Sequence, residues 1–147
     1  MSTVRTIIER KGGSVAAVDR ATSVQETATL MGQRRTGSVV VLDGPKVVGI
    51  FTERDLLMRV VAKGLNANEV RIDSVMTAPV AVCSLATTIA ECRAAMTAKH
   101  IRHLPVVENG VLAGIVTSRD LMAYQAAEDL ETIHYLRDYL YSSGGRQ

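Results

Sequence analysis

Three residue types that can bind anions or hydroxyl groups occur together twice in the chain, at the same spacing. A threonine is followed two residues later by an arginine and three residues later by an aspartate. In both places an apolar, strand-like run ends at the threonine and a helix-like run begins, so we call each set a corner. The first corner is Thr52, Arg54 and Asp55, and the second, 65 positions later, is Thr117, Arg119 and Asp120.

Each corner has two explanations. A threonine between a strand and a helix is a good N-cap, and an aspartate three residues later has the spacing of a capping box. A helix N-terminus also attracts anions, an arginine can hold a phosphate through two hydrogen bonds, and a carboxylate can accept hydrogen bonds from ribose hydroxyls. Capping alone tolerates several residue types, so the recurrence of the same three residues favours a binding role.

The corners belong to a longer internal duplication, in which residues 14–57 match residues 79–122 without gaps. Each copy predicts a short strand (residues 15–18 and 80–83), a helix opened by a capping box, two strands joined by a tight turn, and then the corner and its helix. The helices after the corners are predicted to end near residues 63 and 127. A unit of about 45 residues buries too little surface alone. We therefore expect two units packed sheet to sheet about a pseudo-two-fold axis, with the corners opening into clefts at the junction.

The remaining segments divide the chain into three parts. Residues 1–66 form the first repeat with a lead-in helix over residues 3–11, and residues 67–127 form the second repeat with a helical lead-in over residues 71–76. Residues 128–147 form an amphipathic C-terminal helix and tail, whose apolar positions are Leu130, Ile133, Leu136 and Leu140. This last helix has no counterpart in the first repeat. It packs either on its own protomer or on a dimer partner, and the sequence leaves both possibilities open.

Composition excludes several functional classes. A formal net charge of +2, without runs of like charge, does not favour nucleic-acid binding. The chain has no apolar run of 18 residues and its start lacks the apolar core of a signal peptide, so no membrane span is expected. The two cysteines, Cys83 and Cys92, lack the spacing of a zinc or redox motif. We expect a cytoplasmic protein.

Catalytic and metal-binding constellations are not recognisable. His100 and His103 are three residues apart, but a break between the end of a helix and the start of a strand separates them, which disfavours a shared metal. No nucleophile with an adjacent base, and no pair of catalytic carboxylates, can be identified. The sequence therefore predicts neither an enzyme nor a metal site.

The assembled segments resemble a tandem pair of cystathionine-beta-synthase (CBS) domains, also called a Bateman module, of the small stand-alone bacterial type. The matching pieces are residues 75–80, 101–107 and 114–120, together with residues 49–56 of the first repeat. The resemblance implies an α+β fold in which a β-α-β-β-α unit is used twice. It also implies binding of an adenosyl ligand (AMP, ADP, ATP, NAD(H) or S-adenosylmethionine), a flat, disc-like homodimer, and a sensor rather than a catalyst.

The resemblance also assigns residues to two ligand sites. In each site the aspartate would hold the ribose hydroxyls, the threonine and the residue before the aspartate would face the phosphate, and a residue of the short strand would lie near the adenine. The first site would use Thr52, Arg54 and Asp55, with Val15 or Ala16 near the adenine. The second would use Thr117, Ser118, Arg119 and Asp120, with Val80 near the adenine and Arg102 and His103 towards the phosphate.

The two sites are expected to differ. Gly37 and Ser38 stand in the first repeat where Arg102 and His103 stand in the second, which removes two potential cations from one copy. We therefore predict that the second site prefers the phosphorylated ligand. The favoured interpretation is a regulatory module that binds an adenine nucleotide and is read by a protein partner. The alternatives are a structural dimerisation module with vestigial sites and, as a ligand choice, S-adenosylmethionine.

Overall fold

Helices and strands follow one another twice in the same order. The computed structural model describes residues 1–12 and 14–144, with side chains up to residue 141. Helix α1 (Val4–Lys11) precedes the first repeat, and a 3-10 turn at Ile72–Ser74 precedes the second. The first repeat contains β1 (Ala17–Asp19), α2 (Val24–Arg34), β2 (Ser38–Asp43), β3 (Lys46–Thr52), and α3 (Glu53–Asp55), which continues as a π-helix at Leu56–Val61. The elements after the 3-10 turn are α4 (Ile89–Lys99), β4 (His103–Glu108), β5 (Val111–Thr117) and α5 (Ser118–Gly144).

The duplication extends to the register of the two antiparallel hairpins. Strands β2 and β3 pair from Ser38 with Thr52, and strands β4 and β5 pair from His103 with Thr117. Both ladders shift register at the same point, after Val41 in the first hairpin and 65 residues later in the second. The predicted α+β fold of two repeats is therefore confirmed.

The short strand predicted over residues 80–83 is reduced to a single bridge between Cys83 and Val106. The reason is a proline. In the first repeat the backbone N–H of Val40 donates to the carbonyl of Ala16 and extends the parallel pairing of β1 with β2. The residue equivalent to Val40 in β4 is Pro105, which has no N–H to donate. The second sheet consequently has two strands and the first has three.

The lead-in segments cross over between the repeats. Helix α1 buries Val4 and Ile7 in the core of the second repeat, among residues that include Ile89 and Val116. The segment before the second repeat buries Ile72 and Val75 in the core of the first. The last strand of each repeat is covered by the lead-in of the other repeat: an added Cβ at Gly114 in β5 would lie 2.7 Å from Ile8, and one at Gly49 in β3 would overlap Met76.

The helices that follow the two corners differ in length. The first passes through the π-helical turn and ends near Gly64, whose φ of +67° favours glycine. The second continues as one helix of 27 residues, where the sequence predicts a helix to about residue 127 and a separate one beyond it. Since no glycine or proline stands between the two predicted helices, nothing local interrupts the hydrogen-bond ladder.

Substituting Gly49 by alanine is expected to destabilise the protein by about 1–3 kcal/mol, because the new methyl group would overlap Met76 and lie 3.0 Å from the backbone oxygen of Thr77. Gly32→Ala is the control. Gly32 lies inside α2 with nothing within 4 Å of an added Cβ, so alanine should stabilise by about 0.5–1 kcal/mol. Urea unfolding measures the change in the free energy of unfolding in both variants. Equal changes would contradict the close packing at Gly49.

Candidate functional site

A cleft of about 610 Å³ lies between the first corner and the start of β4. One wall comes from the first repeat, where the corner follows β3 directly. The other wall comes from the end of α4 and the start of β4 in the second repeat. The first-repeat and linker residues that line it are Gly37, Ile50, Thr52, Glu53, Arg54, Asp55, Met58, Arg59 and Thr77, and the second-repeat residues are Lys99, His100, Ile101, Arg102 and His103.

Asp55 is held by several donors at the back of this cleft. Its Oδ2 accepts hydrogen bonds from the backbone N–H of Thr52 at 3.0 Å and from the Thr77 hydroxyl at 3.1 Å, and its Oδ1 lies 3.0 Å from the same hydroxyl. The guanidinium of Arg59 forms an ion pair with Oδ1 at 3.5 Å. Because Thr52 Oγ1 accepts from the backbone N–H of Asp55, the corner is also a complete capping box.

The second corner forms the same cap but receives a different neighbour. Asp120 Oδ2 accepts from the backbone N–H of Thr117 at 2.9 Å, and Thr117 Oγ1 accepts from the backbone N–H of Asp120. The ammonium group of Lys11, at the end of α1, donates to Asp120 Oδ2 at 2.9 Å and to the carbonyl of Ile115 at 3.1 Å. An internal cation therefore neutralises the aspartate of this corner.

His103 stands between the two corners. The charged groups that face it are Glu53 from the first corner, Asp120 from the second, Arg102 beside it and Lys11 from α1. Burial lowers the pKa of His103 below its ordinary value, and the two cations lower it further, while the two carboxylates oppose them. The imidazole is therefore neutral at pH 7 and becomes protonated only in more acidic solution or beside an added anion.

The lining of the cleft carries an excess of positive charge. Its acidic members are Glu53 and Asp55, and Asp55 is 4% exposed and already paired. Its basic members are Arg54, Arg59, Lys99 and Arg102, with the imidazoles of His100 and His103. Low-dielectric walls strengthen the field of such a group of charges in a cleft. The arrangement suits an anionic ligand with several oxygen atoms.

The structure distributes the sequence-predicted site residues differently from the expected two sites. Arg102 and His103 lie beside the second corner in the backbone, since His103 pairs with Thr117 and the N–H of Ser118 donates to the carbonyl of Arg102, but both residues also line the cleft of the first corner. Ser118 lines a separate apolar groove of about 440 Å³ between α4 and α5, with Met96 and Leu121. Arg119 is exposed and lines neither space.

The residues expected near the adenine lie outside the cleft lining. Ala16 is buried in the core of the first repeat, and Val15 and Val80 are half-buried. The apolar members of the lining are instead Ile50, Met58 and Ile101.

Sequence reasoning missed four polar residues: Lys11, Arg59, Thr77 and Lys99. The ion pair of Arg59 with Asp55 could have been predicted from the sequence, since Arg59 lies four residues after Asp55 on the same helical face. The contact of Lys11 with Asp120 could not have been predicted from local patterns, because it joins residues 109 positions apart.

Neither a metal-binding cluster nor a membrane-spanning helix occurs in the described part of the chain. Within residues 1–12 and 14–144, no group of three or more His, Cys, Asp or Glu side chains is placed to hold a metal ion. Over the same part of the chain, no helix combines the length and apolar character needed to cross a bilayer.

The family profile of the CBS domain matches residues 4–62 and 72–127. The chain therefore belongs to the CBS domain family and carries two such domains in tandem, as the resemblance implied. An uncharacterized protein of Methanopyrus kandleri is 39% identical over 99 residues, which are 66% of this chain and 50% of that protein. A CBS domain-containing protein of Arabidopsis thaliana is 36% identical over 94 residues, 17% of its length. The chain thus spans half or less of these two relatives.

Solved structures show the same fold. A CBS-domain containing protein from Agrobacterium tumefaciens is 35% identical with a TM-score of 0.79, over 84% of this chain and 99% of that one. A protein with CBS domains from Burkholderia ambifaria is 32% identical with a TM-score of 0.81, over 86% and 95%. A CBS domain protein from Pyrobaculum aerophilum, solved in complex with AMP, is 24% identical with a TM-score of 0.72, over 80% and 88%.

The contact between Lys11 and Asp120 can be measured by a double-mutant cycle of Lys11→Met and Asp120→Asn. The two side chains are 35% and 20% exposed, so solvent weakens their attraction, and we expect a coupling of about 0.5–1 kcal/mol. Unfolding in urea with and without 1 M NaCl gives the coupling, which should shrink in salt because ions screen a partly exposed pair. A coupling near zero in low salt would mean that Lys11 does not hold the second corner.

Proposed function

We propose that the chain is a non-catalytic regulatory module whose first-corner cleft binds one phosphorylated adenosyl ligand of the AMP class. The observation that carries the proposal is the cleft itself, in which a Thr–Arg–Asp corner of one repeat faces the cationic end of α4 and start of β4 in the other. A volume of about 610 Å³ falls in the range of small-ligand sites.

The ribose is assigned to Asp55. The hydroxyl of Thr77 lies 3.0 and 3.1 Å from the two carboxylate oxygens, which is the position from which a ribose hydroxyl would donate. A neutral hydroxyl exchanges with another at small net cost, because both make the same kind of hydrogen bond. Thr77 therefore keeps the buried carboxylate satisfied until the ligand arrives.

The phosphate is assigned to the cationic side of the cleft. Arg54, Lys99 and Arg102 supply permanent charges there, and His103 can add a proton when an anion approaches. Hydrogen bonds to charged groups contribute about 1.5–3 kcal/mol each, so two or three of them would give a phosphorylated ligand a clear advantage. The same charges disfavour S-adenosylmethionine, whose sulfonium group is positive.

The apolar part of the cleft is assigned to the adenine, against Ile50, Met58 and Ile101. The AMP complex of the Pyrobaculum aerophilum protein supports the ligand class, since a protein of this fold accommodates AMP. The walls of the cleft belong to different repeats, so a bound nucleotide would link the repeats. A partner protein could respond to that change only if the ligand prefers one of two arrangements of the module.

The second corner is assigned no ligand. Lys11 donates to Oδ2 of Asp120 and supplies the positive charge that a ligand would otherwise have to provide. This revises the sequence-based expectation that the second site prefers the phosphorylated ligand. We propose one ligand per chain.

A structural dimerisation module with vestigial sites is the competing function. Its support is that both aspartates already act as helix caps, which explains the corners without a ligand. Thermal unfolding separates the two functions. A ligand at about 100 times its dissociation constant adds about 2.7 kcal/mol to the stability. Absence of a shift with AMP, ADP, ATP and NAD would favour the structural module.

Neutralising an arginine at the first corner should weaken ligand binding, and the same change at the second corner should not. Arg54→Gln removes a charge from the cleft lining, and we expect about a tenfold loss of AMP affinity. Arg119→Gln is the matched control, because Arg119 is the equivalent residue, is exposed, and lines neither the first-corner cleft nor the groove between α4 and α5. Titration calorimetry measures both, and equal losses would contradict the assignment to the first corner.

Binding of AMP should take up protons at His103. Burial keeps its pKa low in the free protein, and a phosphate facing it would raise that pKa, so the complex holds more protons. Affinity should therefore fall as the pH rises through the pKa of the complex. Calorimetry in buffers of different ionisation enthalpy measures the uptake. The His103→Gln variant is the control for protons carried by AMP itself, and an unchanged uptake in this variant would remove His103 from the site.

A further inference from the structure

The last half of α5 is exposed on every side. All residues from 129 to 141 are exposed, which corresponds to about 20 Å of helix beyond the folded body. The exposed fractions include 68% for Leu130, 59% for Ile133, 49% for Leu136 and 64% for Leu140. The CBS domain profile ends at residue 127, so this segment lies outside the part of the chain that the family shares.

The aliphatic residues of this segment form one stripe that begins on the body. Met122, Ala126, Ile133 and Leu140 fall within about 40° of one another around the helix, at spacings of four and seven residues, which are typical of a helix–helix seam. Leu130 and Leu136 lie on either side of them. The stripe therefore has the pattern of a surface that packs against another helix.

Acidic residues lie on the side of the helix opposite the stripe. Glu131 and Asp138 lie opposite the stripe, where they would stay in water. Two residues of opposite charge, Asp129 and Arg137, lie within the arc of the stripe, and each is four residues, or about 40° around the helix, from Ile133. If a second copy of the helix runs in the opposite direction and the two copies are aligned at Ile133, each of these two charges meets the opposite charge.

We propose that this stripe is the docking surface for the same segment of a second copy of the chain, in antiparallel orientation with Ile133 at the two-fold axis. Reversal about Ile133 places Leu130 level with Leu136 of the partner subunit and Asp129 level with Arg137 of the partner subunit. A parallel pair would instead place Asp129 beside Asp129 of the partner subunit. Like charges at an interface oppose association, so the charge pattern selects the antiparallel pair.

Reversing one charge tests the orientation. In Asp129→Arg or Arg137→Asp, each antiparallel pair would meet like charges, and we expect the dimer dissociation constant to rise about tenfold or more. In the double variant, with both charges exchanged, the complementarity returns and the dissociation constant should lie within about threefold of wild type. Sedimentation velocity of the full chain measures association, and circular dichroism verifies that helix content is kept. Single variants that dimerise like wild type, or a monomeric wild type, would overturn the proposal.

A crosslink reports contact directly, whether or not another surface also holds the copies together. Ile133→Cys would bring two thiols together at the axis, and mild oxidation should join most chains into covalent dimers. Tyr135→Cys is the control, because Tyr135 is exposed on a different side of the same helix. Equal crosslinking of the two variants, or no crosslinking at position 133, would overturn the proposed antiparallel pair. The stripe would then bind a different partner.

Discussion

The ion pair between Lys11 and Asp120 makes two corners that share threonine, arginine and aspartate chemically different. It depends on the crossover of the lead-in segments, which places α1 against β5 through the close approach of Ile8 to Gly114. The equivalent position over β3 is taken by Met76 and Thr77. Asp120 therefore meets an ammonium group at 2.9 Å. Asp55 instead meets a hydroxyl that a ligand can replace, with the guanidinium of Arg59 farther away at 3.5 Å.

Divergence between the copies accounts for the other asymmetries of the molecule. Pro105 removes a strand bond from the second sheet, and the absence of a helix stop lets α5 run far past the length of its counterpart. Arg102 and His103 occupy the positions equivalent to Gly37 and Ser38 of the first repeat. They line the cleft at the first corner. A duplicated core provides the scaffold, while residues that differ between the copies supply the charge and the exposed helix.

The parts of the fold that the sequence predicts are those set by local pattern. N-caps at Ser23 and Thr88, which the capping-box spacing predicts, specify the starts of two helices. The Asn109–Gly110 turn specifies a hairpin, and the 65-residue period specifies the equivalence of the two repeats. Pro105 carried a usable signal against the short second-repeat strand, since its missing N–H follows from residue type alone. The Lys11 contact and the side of the cleft that Arg102 faces depend on how the repeats cross, which local patterns do not encode.

The stoichiometry of AMP binding tests the account most directly. Titration calorimetry of the full chain, with the active protein fraction determined independently, should give one AMP per chain, because Lys11 closes the second corner. Two AMP per chain would show that the second corner accepts a ligand in spite of Lys11. That result would contradict the claim that this contact decides where the ligand binds.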